Sequence, residues 1–302
     1  MKPLIVWRFS DGKAGHDNQS RGLADALARL RPVEAITLDP LPATTALAGL
    51  IGGRLARWRE PPGPDLLLGA GHRTHLSLLA ARRTRGGKAV VLMRPSLPPC
   101  LFDLCLIPHH DSPPARPNVL ATRGALNRIQ PSTTLEPERG LLLIGGPSSH
   151  FDWNDAELHR QIAAILAADP TIRWTLTTSR RTPPGFLDGL RDSPIDRLAA
   201  IPVSETGPDW LPAQLARASR AWVTADSVSM VYEALTAGTA VGVLELPWKR
   251  SGRVSRGLER LAVEGWVTLF ADWRVDRRLR RPDRPFNEAE RCARWIVERW
   301  FA

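Results

Sequence analysis

The stretch TADSVSMVYEALTAGTAVGVLEL, Thr224 to Leu246, decides how the chain is read. An apolar run ending at Val223 meets a polar corner of Asp226, Ser227 and Ser229. A segment of helical periodicity carrying Glu233 follows, and a Gly-led apolar run, GVLEL, closes the unit. Strand, corner, helix and strand make one βαβ unit, whose parallel strands need a helical crossover on the sheet face.

The same grammar extends in both directions. Upstream, RGLLLIGG (139–146), a helix over 155–168, the strand IRWTLTTS and a helix near 210–218 precede RAWVTA. In the N-terminal half LIVWRF (4–9), DLLLGA (65–70), KAVVLM (88–93) and FDLCLIP read as strands, and residues 17–30 place Leu23, Leu27 and Leu30 on one helix face. Residues 112–139 are rich in Pro, Ser, Thr and Asn, which predicts a linker near 125–139. The expected organisation is α/β: a Rossmann-like domain over 1–130, a second over 139–285, and a terminal helix over 286–302. Asn287, with Glu290 three residues later, is that helix's predicted cap.

Composition is that of a globular protein, with 43% hydrophobic and 24% charged residues among 302. No run approaches the roughly 18 apolar residues of a spanning helix, and the N-terminus is too short in apolar residues for a signal segment. A cytoplasmic protein is expected. Cys100, Cys105 and Cys292 lack disulfide or zinc spacing and are expected as buried free thiols. Net charge is +10, and residues 1–138 hold 18 Lys/Arg against 11 Asp/Glu. Such an excess suits an anionic partner, although 37 of the 41 basic residues are Arg, as coding bias also produces. No nucleic-acid-binding motif accompanies it, so nucleic acid is not an expected partner.

Four corners carry candidate chemistry. SDGKAGHDNQSRG (10–22) leaves the first strand with Asp11, Lys13, Gly15, His16, Asp17, Asn18 and Gln19 at a helix start, a place suited to an anion or, with Asp17 or Asn18 as cap, to a simple turn. LLLGAGHRTH (66–75) brings Gly71, His72 and Arg73 to the same edge of a parallel sheet. In LLLIGGPSSHFDW (141–153), the amides of Gly145 and Gly146 and the hydroxyls of Ser148 and Ser149 suit an anion or a hydroxyl. TTSRRTP then supplies Ser179 and two guanidinium forks, Arg180 and Arg181, matched to phosphate oxygens. No GxGxxG, P-loop, HExxH or DxD pattern is present, and neither a metal nor a cofactor is expected.

Glu233 and Gly238, spaced as in the donor half of GT-B glycosyltransferases and followed by TAVGVLELP, resemble that fold. The fuller set DGKAGHDNQSRGLADAL, GAGHRTH, IGGPSSHFDW and TADSVSMVYEAL resembles the family of plant elongated-mitochondria, or mitochondrial-fission, proteins and their bacterial relatives. The resemblance implies two Rossmann-like domains with parallel sheets facing a cleft, and a terminal helix crossing back to the N-terminal domain. It implies a nucleotide-sugar donor as substrate, with Gly145, Gly146, Ser148 and Ser149 near its phosphates or sugar. Arg180 and Arg181 would hold the diphosphate, and Glu233 the ribose. The Asp226-Ser227 pair departs from the Ser-Gly of many such enzymes, which puts phosphate contact there in doubt; Lys249 and Arg250 are spare cations.

Transfer with inversion requires a base for the acceptor hydroxyl, and His16 or Asp17, then Asp11, are the candidates. The expected acceptor is a cell-envelope or lipid-linked molecule, with peripheral association at an anionic membrane surface. Two alternatives stand: a nucleotide-sugar epimerase using His72, His150 and Asp152, and a non-catalytic scaffold of the kind the plant relatives suggest.

Overall fold

The computed structural model describes residues 2–53, 55–191, 197–249 and 253–301. The chain forms two compact units: one runs from the N-terminus to Arg128 and resumes at Asn287, the other is Ile129–Phe286.

In the first unit β1 (Leu4–Phe9), α1 (Ala14–Leu30), β2 (Val33–Leu38), α2 (Ala43–Gly52), β3 (Leu66–Ala70), α3 (His75–Arg85), β4 (Lys88–Leu92), β5 (Leu104–Pro108) and β6 (Val119–Thr122) follow one another. All pair in parallel, in the order β2-β1-β3-β4-β5-β6. All six residues of β1 are buried, because both faces of the sheet are covered. Period-two alternation then divides them: Leu4 and Val6 join the cluster formed with Leu23, Leu27 and Ile296, whereas Ile5, Trp7 and Phe9 join Trp58 and Leu78. Arg8 falls on the same side as Leu4 and Val6. Only 3% exposed, it can be charged there because Asp17, Ser20 and Thr37 accept its hydrogen bonds.

The second unit contains β7 (Glu136–Leu143), α4 (Asp155–Ala168), β8 (Arg173–Thr177), α5 (Asp188–Arg191), β9 (Leu198–Ile201), α6 (Trp210–Leu215), β10 (Ala218–Thr224), α7 (Val228–Ala237), β11 (Ala240–Leu244), α8 (Arg253–Val263), β12 (Thr268–Leu269) and α9 (Phe270–Asp276). Its parallel order is β12-β11-β10-β7-β8-β9. Two glycines make room for core indoles: a Cβ at Gly140 would stand 2.4 Å from the Trp174 ring, and one at Gly242 2.3 Å from that of Trp222. With the two Rossmann-like sheets, the α/β class expected from the sequence is the observed one.

The last helix, α10 (Glu288–Trp300), belongs to the first unit, where Ala289, Cys292, Ala293 and Ile296 are buried in the α1-side cluster. Asn287 caps it, accepting the Glu290 N–H at 3.1 Å. Buried Glu288 then accepts from the Arg123 backbone and side chain and from Arg291.

Two readings need correction. α1 begins at Ala14, so His16 and Asp17 sit in its first turn, and Asp17 does not cap it; Lys13 is the cap residue and makes no side-chain cap bond. Cys100 is exposed, whereas burial pushes the thiols of Cys105 and Cys292 up to about 12.

Candidate functional site

Each sheet has a point where the strand order reverses and successive crossover helices leave on opposite faces. There the carboxyl ends of two neighbouring strands part and leave a crevice, the habitual ligand position of open parallel sheets. In the first unit that point lies between β1 and β3, in the second between β7 and β10.

At the first switch point the register pairs Phe9 with Gly69, which sets Asp11 and Gly71 side by side two residues later. Gly71 has φ +86, and a Cβ there would stand 2.4 Å from the His16 ring and 3.2 Å from Asp11 Oδ2. Glycine is thus required both by its backbone angle and by the closeness of the imidazole. His16 Nδ1 lies 2.9 Å from Asp11 Oδ2 and 3.1 Å from Oδ1. The Asp11 side chain is wholly buried, and the Lys13 N–H also donates to it. Burial pushes the Asp11 carboxyl up, but the His16 hydrogen bond, the Lys13 amide and their charges outweigh it and hold the group below the usual carboxylate range. A carboxylate fixed on Nδ1 selects the tautomer with its proton there, so that Nε2 is the basic nitrogen.

Asp17 has a different environment. Its oxygens are held by Arg8, Ser10 and Arg21, and although burial pushes its carboxyl up, those partners bring it below the usual range. A carboxylate so paired is a weak base and serves as the counter-ion of buried Arg8. Gln19 is buried, its amide donating to Gly15 O at 3.4 Å and to Met93 Sδ at 3.3 Å; Asn18 is half-buried and hydrogen-bonded or otherwise engaged. Lys13, Gly15, His72 and Arg73 are exposed around this corner. His75, three residues past His72, is a core side chain bonded to Ser96, and burial first, then the charge of His72, lowers it to about 4.

The second switch point is tightly knit. Leu143 pairs with Val223, which brings Gly145 and Gly146 against Thr224 and Asp226. The Gly145 N–H donates to Thr224 Oγ1 at 2.7 Å and the Gly146 N–H to Asp226 Oδ2 at 3.0 Å. Both amides, assigned from sequence to a ligand, are therefore spent within the protein. Added Cβ atoms would meet Asp226 at 2.3 Å and the Arg181 carbonyl at 2.2 Å, so steric closeness is what requires the two glycines.

Arg181 Nη2 donates to Asp226 Oδ2 at 2.8 Å, and its Nη1 donates to the Gly146 and Pro147 carbonyls. The Asp226 side chain is fully buried, and its Oδ1 has no partner among the described residues. Arg181 is thus paired internally rather than free, while Arg180 is exposed and has no ion pair among the described residues. Arg180 lines a hollow of about 370 Å³ at the carboxyl ends of β8 and β9, with Thr178, Ser179, Val203 and Ser204.

Ser227 occupies the cap position of α7 but makes no side-chain cap bond, Ser229 is exposed, and Glu233 is half-buried one turn on and engaged with a partner. The cap residue therefore puts no side chain over the first amides of α7, the positive end of its dipole.

Ser148 Oγ accepts from the amides of His150 and Phe151, a turn role, and Ser149 is exposed. Lys249 is not spare: it bonds the Ser148 carbonyl and pairs with Asp152. Arg250 lies outside the described residues. Sequence reasoning missed Thr224 and Thr182, whose hydroxyls tie the strand ends together by bonding the Gly145 amide and carbonyl. A threonine ending a β-run just before the polar corner was the available signal.

Solved structures of other proteins share the fold of this chain. MurG of Acinetobacter baumannii is similar over 98% of this chain and 100% of its own, with a TM-score of 0.54 and 14% identity. A Listeria monocytogenes protein assigned as a UDP-N-acetylglucosamine 2-epimerase gives a TM-score of 0.58 and 12% identity, covering 98% of this chain and 95% of that one. The UDP-GlcNAc 2-epimerase of Neisseria meningitidis, solved bound to UDP-GlcNAc, gives 0.52 and 12%, covering 98% and 99%. A comparison with curated proteins gives no match. These likenesses establish a GT-B-like fold. The sequence itself matches one family model, Mitochondrial fission ELM1, over residues 14–300, a span that takes in His16, Gly71, the Gly145–Asp226 corner and α10 but begins after Asp11. On that extent the chain belongs to the Mitochondrial fission ELM1 family.

Proposed function

We propose that this protein is a glycosyltransferase that moves a sugar from a nucleoside-diphosphate donor to an acceptor hydroxyl. The observation that carries this reading is the Asp11–His16 pair, closed to 2.9 Å and held by Gly71 at a sheet switch point. A buried carboxylate that orients an imidazole makes a general base, and a half-buried imidazole is still accessible to an acceptor. In the reaction His16 Nε2 takes the acceptor proton while the hydroxyl oxygen attacks the anomeric carbon. The bond from that carbon to the diphosphate breaks, and the diphosphate leaves with the electron pair.

The donor is assigned to the second unit. The uncapped amides of α7 and the exposed Arg180 stabilise the leaving diphosphate, Glu233 accepts from the ribose hydroxyls, and the hollow beside Val203 takes the base. All of these charge-stabilising groups are the chain's own, and the transfer is expected to persist in the presence of a chelator. The basic balance of residues 1–138 supports an acceptor presented at an anionic membrane surface. No helix among the described residues is long and apolar enough to cross a membrane, so such association would be peripheral.

The test is a thermal-shift and calorimetric screen of nucleoside diphosphates and their sugars, with Glu233→Ala beside the native protein, followed by incubation of the bound donor with and without candidate lipid-linked acceptors. Binding that falls in Glu233→Ala, with sugar transfer dependent on acceptor, is the expected result. An epimerised, still nucleotide-linked sugar formed without acceptor would replace transfer by epimerisation. No binding across the panel would leave a scaffolding protein.

A further inference from the structure

A second hollow of the C-terminal unit, about 500 Å³, lies at the opposite edge of its sheet from the Gly145–Asp226 corner. It opens at the amino ends of the strands: Pro137 is near the start of β7, Trp174 of β8, Arg220 of β10 and Ala240 of β11. The donor reading makes no use of this edge, and a volume of this size is typical of small-molecule sites.

Its lining combines three features. Trp174, Trp222 and Trp273 form an aromatic wall, each no more than 4% exposed. Second, the indole N–H of Trp174 is buried and has no hydrogen-bond partner among the described residues. Buried donors in native proteins are nearly always satisfied, so an acceptor is missing at this wall. The third feature is charge. Arg220, Arg277 and Arg281 face one acid, Asp169, which is already paired with Arg220 at 2.8 Å. Among the described residues Arg281 makes a single, long bond, 3.4 Å, to the Ser219 carbonyl. Arg277 is exposed and stacks on Trp273 at 4.6 Å, a contact that leaves the edge of its guanidinium available to an oxyanion. Among the described residues the hollow therefore offers an apolar aromatic surface, one unpaired neutral donor and two cations without a carboxylate partner.

We infer that this hollow is a binding site for a small amphipathic anion, an apolar body carrying a single carboxylate or phosphate head. The body lies on the indoles with Ile165 and Leu135, the head is held by Arg277 and Arg281, and an oxygen of the ligand accepts from Trp174. A cation of the same shape would meet uncompensated arginines, and a bare inorganic anion would leave the apolar wall wet. Both should bind worse.

The experiment is a titration of the full-length, ¹⁵N-labelled protein observed through its indole N–H resonances, with that of Trp174 assigned from Trp174→Phe. Octanoate, octyl phosphate, octylammonium and inorganic phosphate are the probes. Octanoate or octyl phosphate should move the Trp174 resonance saturably, and the tighter of the two identifies the head group. Octylammonium and inorganic phosphate should not. Arg277→Gln together with Arg281→Gln should weaken the anion by about tenfold or more, as expected for loss of charge-assisted bonds. If Trp174→Phe does not fold, the double arginine variant reads the same outcome through whichever indole resonance responds in the native protein. The proposal is overturned if neither octyl anion produces a saturable shift, if octylammonium shifts the resonance equally, or if the double variant binds as the native protein does.

Discussion

Gly71 and His75 show how single residues set the chemistry of the N-terminal unit. At Gly71 an alanine would need a left-handed φ and would place its methyl carbon within the contact distance of the His16 ring. The flexible partner is the imidazole, so it is His16 that must turn off Asp11. For the proposed transfer, Gly71→Ala should therefore lower kcat by about the 10²- to 10⁴-fold expected for loss of an acid–base group, and His16→Ala by a similar factor. Transfer rates at saturating donor measure this. A Gly71→Ala enzyme with full kcat would show that the imidazole is not the base.

His75 tests the same unit through pH. Its ordinary value is 6.5 and its folded value about 4, because the charged form is excluded by burial and opposed by His72, while Ser96 and Phe102 offer no counter-charge. Between those two values the unfolded chain binds the proton and the folded one does not. The penalty is thus absent above about pH 6.5 and grows as pH falls toward 4, so stability is lost through that window. Urea midpoints of the native protein and His75→Phe at pH 7, 6 and 5 should diverge in slope, with the variant flatter; parallel slopes would mean that His75 titrates normally in the folded state.

At the scale of elements, a pair of strand ends and one helix start make each corner, and their legibility differed. The strands were readable because β1, β3, β4 and β5 are nearly continuous apolar runs. β2, VEAITL, was not: it lies at the sheet edge with a mixed burial pattern, and no periodicity marks it off from a loop. The start of α1 was misplaced for a related reason. A local reading made Asp17 a cap, whereas Arg8, nine residues earlier on the neighbouring strand, claims it. Strand order, and with it the switch points, is a long-range property that motif spacing does not encode. Hence most residues of both corners, though not Thr224 or Thr182, could be named from sequence, but not the pairing of Gly71 with His16 or of Gly145 and Gly146 with Thr224 and Asp226.

That second pairing carries a prediction for the α7 corner. Asp226 holds Arg181 and the Gly146 amide, and it places a fixed negative charge next to the position proposed for a diphosphate. In Asp226→Asn the charge disappears and Arg181 is released toward solvent. UDP, used as the probe ligand, should bind several-fold more tightly at low salt, with the gain shrinking as salt rises, since screening weakens the interaction between exposed charges. Stability should fall by about 1–3 kcal/mol from the weakened buried hydrogen bonds. Calorimetry at two salt concentrations decides: a loss of UDP affinity would mean that Asp226 instead holds Arg181 in its binding position.

On the scale of the molecule, the chain leaves the first unit at Arg128, builds the second, and returns at Asn287, so the N-terminal core is completed only by the last residues. α10 is bound to its unit by two kinds of interaction. Ala289, Cys292, Ala293 and Ile296 extend the cluster of Leu23, Leu27 and Leu66, and the buried Glu288 carboxylate joins Arg123 and Arg291 at the end of β6. Ile296 is fully buried, and Ile296→Ala should cost about 2–5 kcal/mol from lost transfer energy and the cavity left behind. Glu288→Gln should cost about 1–3 kcal/mol, since it weakens the hydrogen bonds that a buried carboxylate accepts, while the partly exposed Arg123 and Arg291 keep contact with water. Because these contacts belong to the first unit, the loss should be local. Hydrogen exchange followed by residue should find reduced protection in β1, β3 and α1 and unchanged protection in β7, β10 and α7. Equal loss in β7 and β10 would show instead that the two units open as one cooperative structure, and that the returning helix stabilises the whole chain rather than the core it completes.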